Sequence, residues 1–309
     1  MANFIFMKKV YLFLVLFAVQ SNLYAQRINA ADYKILQQKE DSLKGYAQKI
    51  IRGINSADRF NADSIFTKVF VRALKTSNAF YYPFDSLFTI SKLYAPDSSF
   101  RIFTWQMVIN DNVIRQHGAI QMKTADGSLQ LFPLIDRSDI TTDMSDTIAN
   151  HLGWMGAVYY KIILKQSGNK KIYTLLGFDQ NNIRSDKKII EVLQFQNGRP
   201  QFGNRIFSVP AGNNYKGNMA RFIMEFKKDA GPRLTYDAEM DLIVFEHLVS
   251  ESNQPNKKWT LVGDGDYEAF KWMDGRWVYI KKLFTQVTPQ GQAPTPNPIG
   301  NSEKIPIEN

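Results

Sequence analysis

In TYDAEMDLIVFEHL, residues 235–248, Asp237, Glu239 and Asp241 stand at alternate positions. Three carboxylates so spaced have the chemistry to hold a cation or to divide acid and base roles between them. Alternation is equally the mark of a strand, with Ala238, Met240, Leu242 and Val244 on its other face. The preceding stretch RFIMEFKK, residues 221–228, alternates as well. Phe222, Met224 and Phe226 join the apolar side, which leaves Arg221, Glu225 and Lys227 on the acidic side. A solvated ladder of cross-strand ion pairs is the expected reading. A cation or ligand site, or a pair of catalytic carboxylates, stands as the alternative. Glycoside hydrolysis would need a second acid about 5 to 9 Å from the first, a separation that sequence spacing does not set.

A second candidate surface lies in YEAFKWMDGRWVYIKK, residues 267–282. With Asp274-Gly275 as a two-residue turn, Met273 faces Arg276, Trp272 faces Trp277, Phe270 faces Tyr279 and Glu268 faces Lys281. One face is then an aromatic ladder. It either welds the last hairpin to the core, which is the expectation, or offers stacked indoles to sugar rings. Trp272 and Trp277, with Asp237, Glu239 and Asp241, are therefore the candidate ligand-surface residues.

Other chemistry finds little support, and no catalytic, cofactor-binding or metal-binding residue is assigned. The chain has no Gly-x-Ser-x-Gly elbow and no cysteine nucleophile. Ser167 and Ser185 begin Ser-x-x-Lys matches, but both fall in predicted turns without the companion motifs of penicillin-binding enzymes. His117, His151 and His247 are far apart and lack metal-ligand spacing. GDGDYE sets Asp264, Asp266 and Glu268 at alternate positions like the start of a calcium loop, yet the loop's glycine and distal acid are missing. No cofactor is expected.

The elements that must position these residues begin after a leader. Lys8 and Lys9 precede the apolar run Val10–Val19, and LYA ends at Ala25, the pattern of a secretory signal peptide cleaved near Ala25. The run is too short for a membrane helix, which needs roughly 18 apolar residues. MKKVYLF marks Met7 as the expected true start. Without cysteine there is no lipidated cysteine after the cleavage site and no disulfide, so the expected product is soluble, periplasmic or secreted, with no transmembrane anchor after cleavage. The net charge of +9 falls to +7 when Lys8 and Lys9 leave, and the remaining basic residues are scattered. That distribution argues against nucleic acid and fits solubility or loose attraction to anionic envelope polymers.

Residues 31–53 carry Leu36, Leu43 and Ile50 seven apart, with Ala47 and Ile54 between and beyond them and Gly53 near the end. This predicts an amphipathic helix. A second helix is expected over Asn61–Lys75, capped at Asn61, with Ile65, Phe66, Val69, Ala73 and Leu74 on one side. From Phe100 onward, β-branched and aromatic runs are broken by Asp126-Gly127, SGN at 167, Asn197-Gly198, DAG at 229 and Asp274-Gly275. Those turns imply roughly ten antiparallel strands. Residues 136–153 read as irregular with one helical turn. After Phe284 the chain is proline-rich and poor in large apolar residues, which predicts a disordered tail.

WMGAVYYKIIL, YTLLGFDQNN and KKIIEVLQF resemble segments of a family of uncharacterised exported proteins of Bacteroidetes bacteria, over about residues 100–285. The resemblance implies an envelope location and no activity. APDSSFRIFTW, residues 95–105, also resembles the strand entry of periplasmic β-propellers, but it occurs once where propellers repeat.

The expected fold is α+β: a helical hairpin followed by a large antiparallel β-meander, sandwich- or barrel-like, with a propeller as the alternative. The expected divisions are a signal peptide over 1–25, the helical hairpin over 26–80, the β domain over 81–285 and the tail over 286–309. The expected function is a non-catalytic envelope binding or structural protein whose partner is an envelope glycan or another envelope protein. An exported hydrolase acting on polysaccharide or peptide is the alternative.

Overall fold

The computed structural model describes residues 28–283 apart from 111, 211–214 and 216. The expected signal peptide and the expected disordered tail lie outside the described residues.

Helix α1, Ala30–Arg52, starts where the Asn29 side chain accepts the Asp32 N–H, and ends where the Gly53 N–H returns to the Lys49 carbonyl. Its buried stripe is Leu36, Leu43, Ala47 and Ile50, as the heptad spacing predicts, together with Glu40. Ile54 departs from that expectation: it lies past the helix end and is 94% exposed. Helix α2, Ser56–Leu74, is capped by Asn55 rather than Asn61, because the Asn55 side chain takes the Asp58 N–H and begins the helix five residues earlier than expected.

Among the described residues, fifteen strands follow in three sheets. The first sheet is the meander β1 (Ser91–Tyr94), β2 (Phe100–Asn110), β3 (Val113–Met122) and β4 (Gln130–Ile135). The second contains β5 (Ala149–Asn150), β6 (Val158–Ser167), β7 (Lys170–Asp179), β8 (Ser185–Gln196) and β9 (Arg199–Phe202). Strand β10 (Phe207–Ser208) runs parallel to the last strand of the third sheet, and β11 (Phe222–Lys227) pairs with β8. The third sheet is completed by β12 (Leu234–Asp237), β13 (Leu242–Ser250), β14 (Leu261–Met273) and β15 (Arg276–Ile280). All pairings except β10 with β15 are antiparallel.

The side-chain period of two explains how these sheets stack. On β2, Phe103, Trp105 and Met107 pack with the helices, while Phe100 and Ile102 face the second sheet. On β7, Tyr173 and Leu175 face the first sheet, while Ile172 and Leu176 join the core shared with the third. The order of layers is helices, first sheet, second sheet, third sheet. The chain is thus α+β, and no sheet among the described residues closes into a barrel. Successive meanders packed face to face are what the propeller alternative shares with this arrangement. The helices, however, cover the outer face of the first sheet, where a neighbouring blade would sit.

One predicted hairpin is corrected. DAG does not fold β11 back on β12, since β11 pairs with the first half of β8 from Phe222 opposite Ile190 to Lys227 opposite Ser185. Asp229 and Gly231 take positive φ, and Pro232 has no N–H to continue the ladder, so the chain leaves for the third sheet. Residues 136–153 are irregular only in part: two short 3-10 turns over 138–140 and 151–153 replace the one expected, and the two-residue strand β5 pairs with β9. No described helix is long and apolar enough to cross a membrane.

Candidate functional site

The predicted register of the last hairpin is the observed one: Trp272 is opposite Trp277, Phe270 opposite Tyr279 and Met273 opposite Arg276. The two indoles meet edge to face at 5.2 Å. Trp277 is 0% exposed, with its Nε1–H donated to the Thr174 hydroxyl at 2.9 Å, so it belongs to the core between the second and third sheets. Trp272 is half-buried against the same core. Glu268 does not face Lys281, because β15 ends at Ile280. Its buried carboxylate instead accepts the hydroxyls of Tyr279 at 2.5 Å and Tyr215 at 3.2 Å. Burial pushes the Glu268 carboxyl above its usual range despite those two bonds.

The three acids do not share a strand face. Strand β12 stops at Asp237 and β13 starts at Leu242, with Asp237 opposite Leu242, so residues 238–241 form a turn. Asp237 Oδ1 accepts the N–H groups of Glu239 at 3.0 Å and Met240 at 2.9 Å, and Asp241 sits at φ +54°. An aspartate that caps its own turn competes with the ladder, and here the turn prevails. Asp241 pairs with Lys165 of β6 and accepts the Tyr236 hydroxyl at 2.5 Å. Burial alone would raise the Asp241 carboxyl, but the bonds from Lys165 and Tyr236 bring it below the usual range. Burial and that hydrogen bond push Tyr236 up to about 12.

The expected ladder partners are elsewhere. Arg221 is 0% exposed and gives its Nε–H to Glu191 Oε2 at 2.8 Å, while Nη1 reaches the carbonyls of Met144 and Thr147. Lys227 pairs with Glu251. In GDGDYE, Asp264 holds His247 Nδ1 at 2.8 Å, and Glu268 turns inward away from Asp264 and Asp266. A bulge accounts for this, because register is lost between Glu246 and Leu248 opposite that stretch. Among the described residues, no three His, Asp or Glu side chains gather in a metal-holding arrangement.

The open site lies on the first sheet. Trp105 of β2, His117 of β3 and Ile135 of β4 are register partners and form one row on the face toward the helices. Asp63 of α2 reaches that row. Its Oδ1 accepts Trp105 Nε1–H at 2.8 Å and lies 3.0 Å from His117 Nδ1. A carboxylate has no proton to give, so Nδ1 carries the hydrogen and Nε2 is left on the far side of the ring.

Beside this row lies a cleft of about 370 Å3 lined by Thr67, Trp105, Arg115, His117, Ile135 and Arg137, among others. The Trp105 ring packs edge-on to His117 at 5.8 Å and closes the floor. Arg115 and Arg137 stand on the rim, Arg115 sharing an exposed ion pair with Asp139 at 3.0 Å. Asp136 beneath them is fully occupied, accepting the N–H groups of Gln116 at 3.0 Å and Ser138 at 2.9 Å. The cleft therefore offers cationic donors at its rim and an oriented imidazole at its base.

His117 was legible only as an isolated histidine, since Asp63 and Trp105 are far from it in sequence. A signal does exist: Asp63 shares the buried side of α2 with Phe66, Phe70 and Ala73, and an acid there must find a buried donor. His151 bonds the Pro133 carbonyl at 2.7 Å and remains apart from the other two histidines.

Comparison with protein-family models, with curated proteins and with solved structures finds no match to the chain.

Proposed function

We propose that the chain is an exported, non-catalytic binding protein of the cell envelope, and that it holds an acidic glycan in the cleft around His117. Export rests on the leader, Lys8 and Lys9 before Val10–Val19 and LYA, and on the resemblance to exported Bacteroidetes proteins. Recognition rests on one observation: the Asp63-oriented imidazole and the guanidinium groups of Arg115 and Arg137 line one cleft. An imidazole whose Nδ1–H is taken presents Nε2 to a ligand hydroxyl, and arginine binds carboxylate through paired donors. A sugar acid carries both groups. Pro133 and Ile135 supply an apolar wall for a ring face. A volume near 370 Å3 is at the lower end of the roughly 300–1,000 Å3 usual for small-ligand sites, which suits one or two sugar units.

The rival reading is an exported hydrolase. It no longer rests on Asp237, Glu239 and Asp241, which sit in or beside one hairpin turn. Its support is that the Asp63–His117 contact resembles the orienter and base of a nucleophilic site, and that Thr67 lines the same cleft. An array of neutral and acidic envelope glycans, followed by product analysis of every bound species, separates the two. Retention of acidic glycans without turnover is the expected result, and release of shorter products would favour the hydrolase.

A further inference from the structure

A second surface, remote in sequence from the cleft, combines exposed apolar side chains with unpaired cations. The connection Glu251–Thr260 between β13 and β14 carries Trp259, 40% exposed, beside Lys257 and Lys258. Of the five tryptophans in the chain, it is the exposed one, since Trp105, Trp154 and Trp277 are buried and Trp272 is half-buried. The Arg184 guanidinium lies over its ring at 5.5 Å, and Ile183 next to Arg184 is 55% exposed. The Arg184 carbonyl accepts the Lys228 N–H at 2.9 Å, fixing this loop at the end of β11.

Two of the local acids are neutralised by other lysines, Asp186 by Lys228 at 2.6 Å and Glu251 by Lys227 at 2.7 Å, and Asp229 beside Lys228 is the remaining acid of this face. Arg184, Lys257 and Lys258 have no ion pair among the described residues and leave the patch positive. The Trp259 ring meets Arg184 on one side and is still 40% exposed, and an exposed indole among cations suits the boundary between acyl chains and anionic headgroups. A guanidinium held over a ring face keeps N–H donors that suit phosphate.

We infer that this face docks peripherally on an anionic lipid surface, with Trp259 and Ile183 entering the acyl boundary and Arg184, Lys257 and Lys258 meeting phosphate groups. The recognised chemistry is a phosphate headgroup above acyl chains. It is independent of the cleft and of the glycan reading.

Co-sedimentation of the full chain with phosphatidylglycerol–phosphatidylcholine vesicles, read together with tryptophan emission, tests the inference. Binding with a blue shift is expected, and pure phosphatidylcholine vesicles should bind far less. Trp259→Phe should abolish the blue shift. Each of Arg184→Ala, Lys257→Ala and Lys258→Ala should weaken binding roughly fivefold at low salt. These residues are exposed, so thermal melting should be unchanged in every variant. No binding to the anionic vesicles, or binding indifferent to these substitutions, would overturn the inference. So would equal binding to dextran sulfate without a blue shift, which would make the patch a polyanion site.

Discussion

Trp277 on β15 donates its indole N–H to the Thr174 hydroxyl on β7, 2.9 Å away, and so ties the third sheet to the second. Both residues are fully buried. Trp277→Ala should therefore cost about 3 to 5 kcal/mol in denaturant unfolding. Thr174→Val, which keeps the volume and strands the donor, should cost about 1 to 3 kcal/mol. Trp272→Ala should cost less than Trp277→Ala because its ring is half-buried. A Trp277→Ala protein with unchanged stability would contradict the buried placement and return the ladder to the role of a sugar platform.

Arg221, just before β11, forms a buried pair with Glu191 of β8 and also gathers the carbonyls of residues 144 and 147. Burial pushes the Glu191 carboxyl up, against the pull of Arg221. Removing one partner leaves the other charge uncompensated, so Arg221→Met should cost about 3 to 5 kcal/mol. The double variant Arg221→Met/Glu191→Leu should recover much of that loss. Additive single effects in a double-mutant cycle would show that the pair is not coupled.

How much of this was legible follows from what each signal encodes. Asp274-Gly275 and Asn197-Gly198 are two-residue turns with positive φ at both positions, a local requirement that fixes hairpin register without knowledge of the rest. The helix stripes are local too. The pairing of β11 with β8 is not, since it joins residues 222–227 to 185–190 across the intervening strands β9 and β10. The acids at 237–241 were misread because alternation persists through a turn capped by Asp237 itself. In KKIIEVLQF both faces are buried, so the run carries no sign of which side each residue takes, and Glu191 gives none of its pairing with Arg221. The cleft was hidden for the same reason, as Asp63 meets His117 only once α2 lies on β3.

Asp97 gives an acid-range prediction. Burial would raise its carboxyl, but hydrogen bonds from Lys171, Ser99 and Tyr173 hold it down at about 2. A carboxyl depressed in the fold stabilises it above the unfolded value of about 3.9, and that stability is lost as pH falls toward 2. Because Lys171 is 59% exposed, screening trims the effect to about 1 to 2 kcal/mol. Asp97→Asn should lower stability at pH 6 and flatten its fall between pH 4 and 2, as measured by urea unfolding across that range. An unchanged acid limb in the variant would place the depression elsewhere.

Export has its own test. Mass spectrometry of the product recovered by osmotic shock should find a chain beginning at Gln26. Recovery in the membrane fraction with the leader intact would refute cleavage.

The cleft is tested most directly by long-range proton–nitrogen NMR of the histidine rings, because the chain has only three histidines. On titration with a uronic-acid oligosaccharide, the His117 Nε2 resonance should move while those of His151 and His247 stay in place. Arg137→Ala should weaken the titration by about 10- to 100-fold, the worth of one charge-assisted hydrogen bond. Movement at another histidine, or no movement at saturating acidic glycan, would contradict the assignment of this cleft as the binding site.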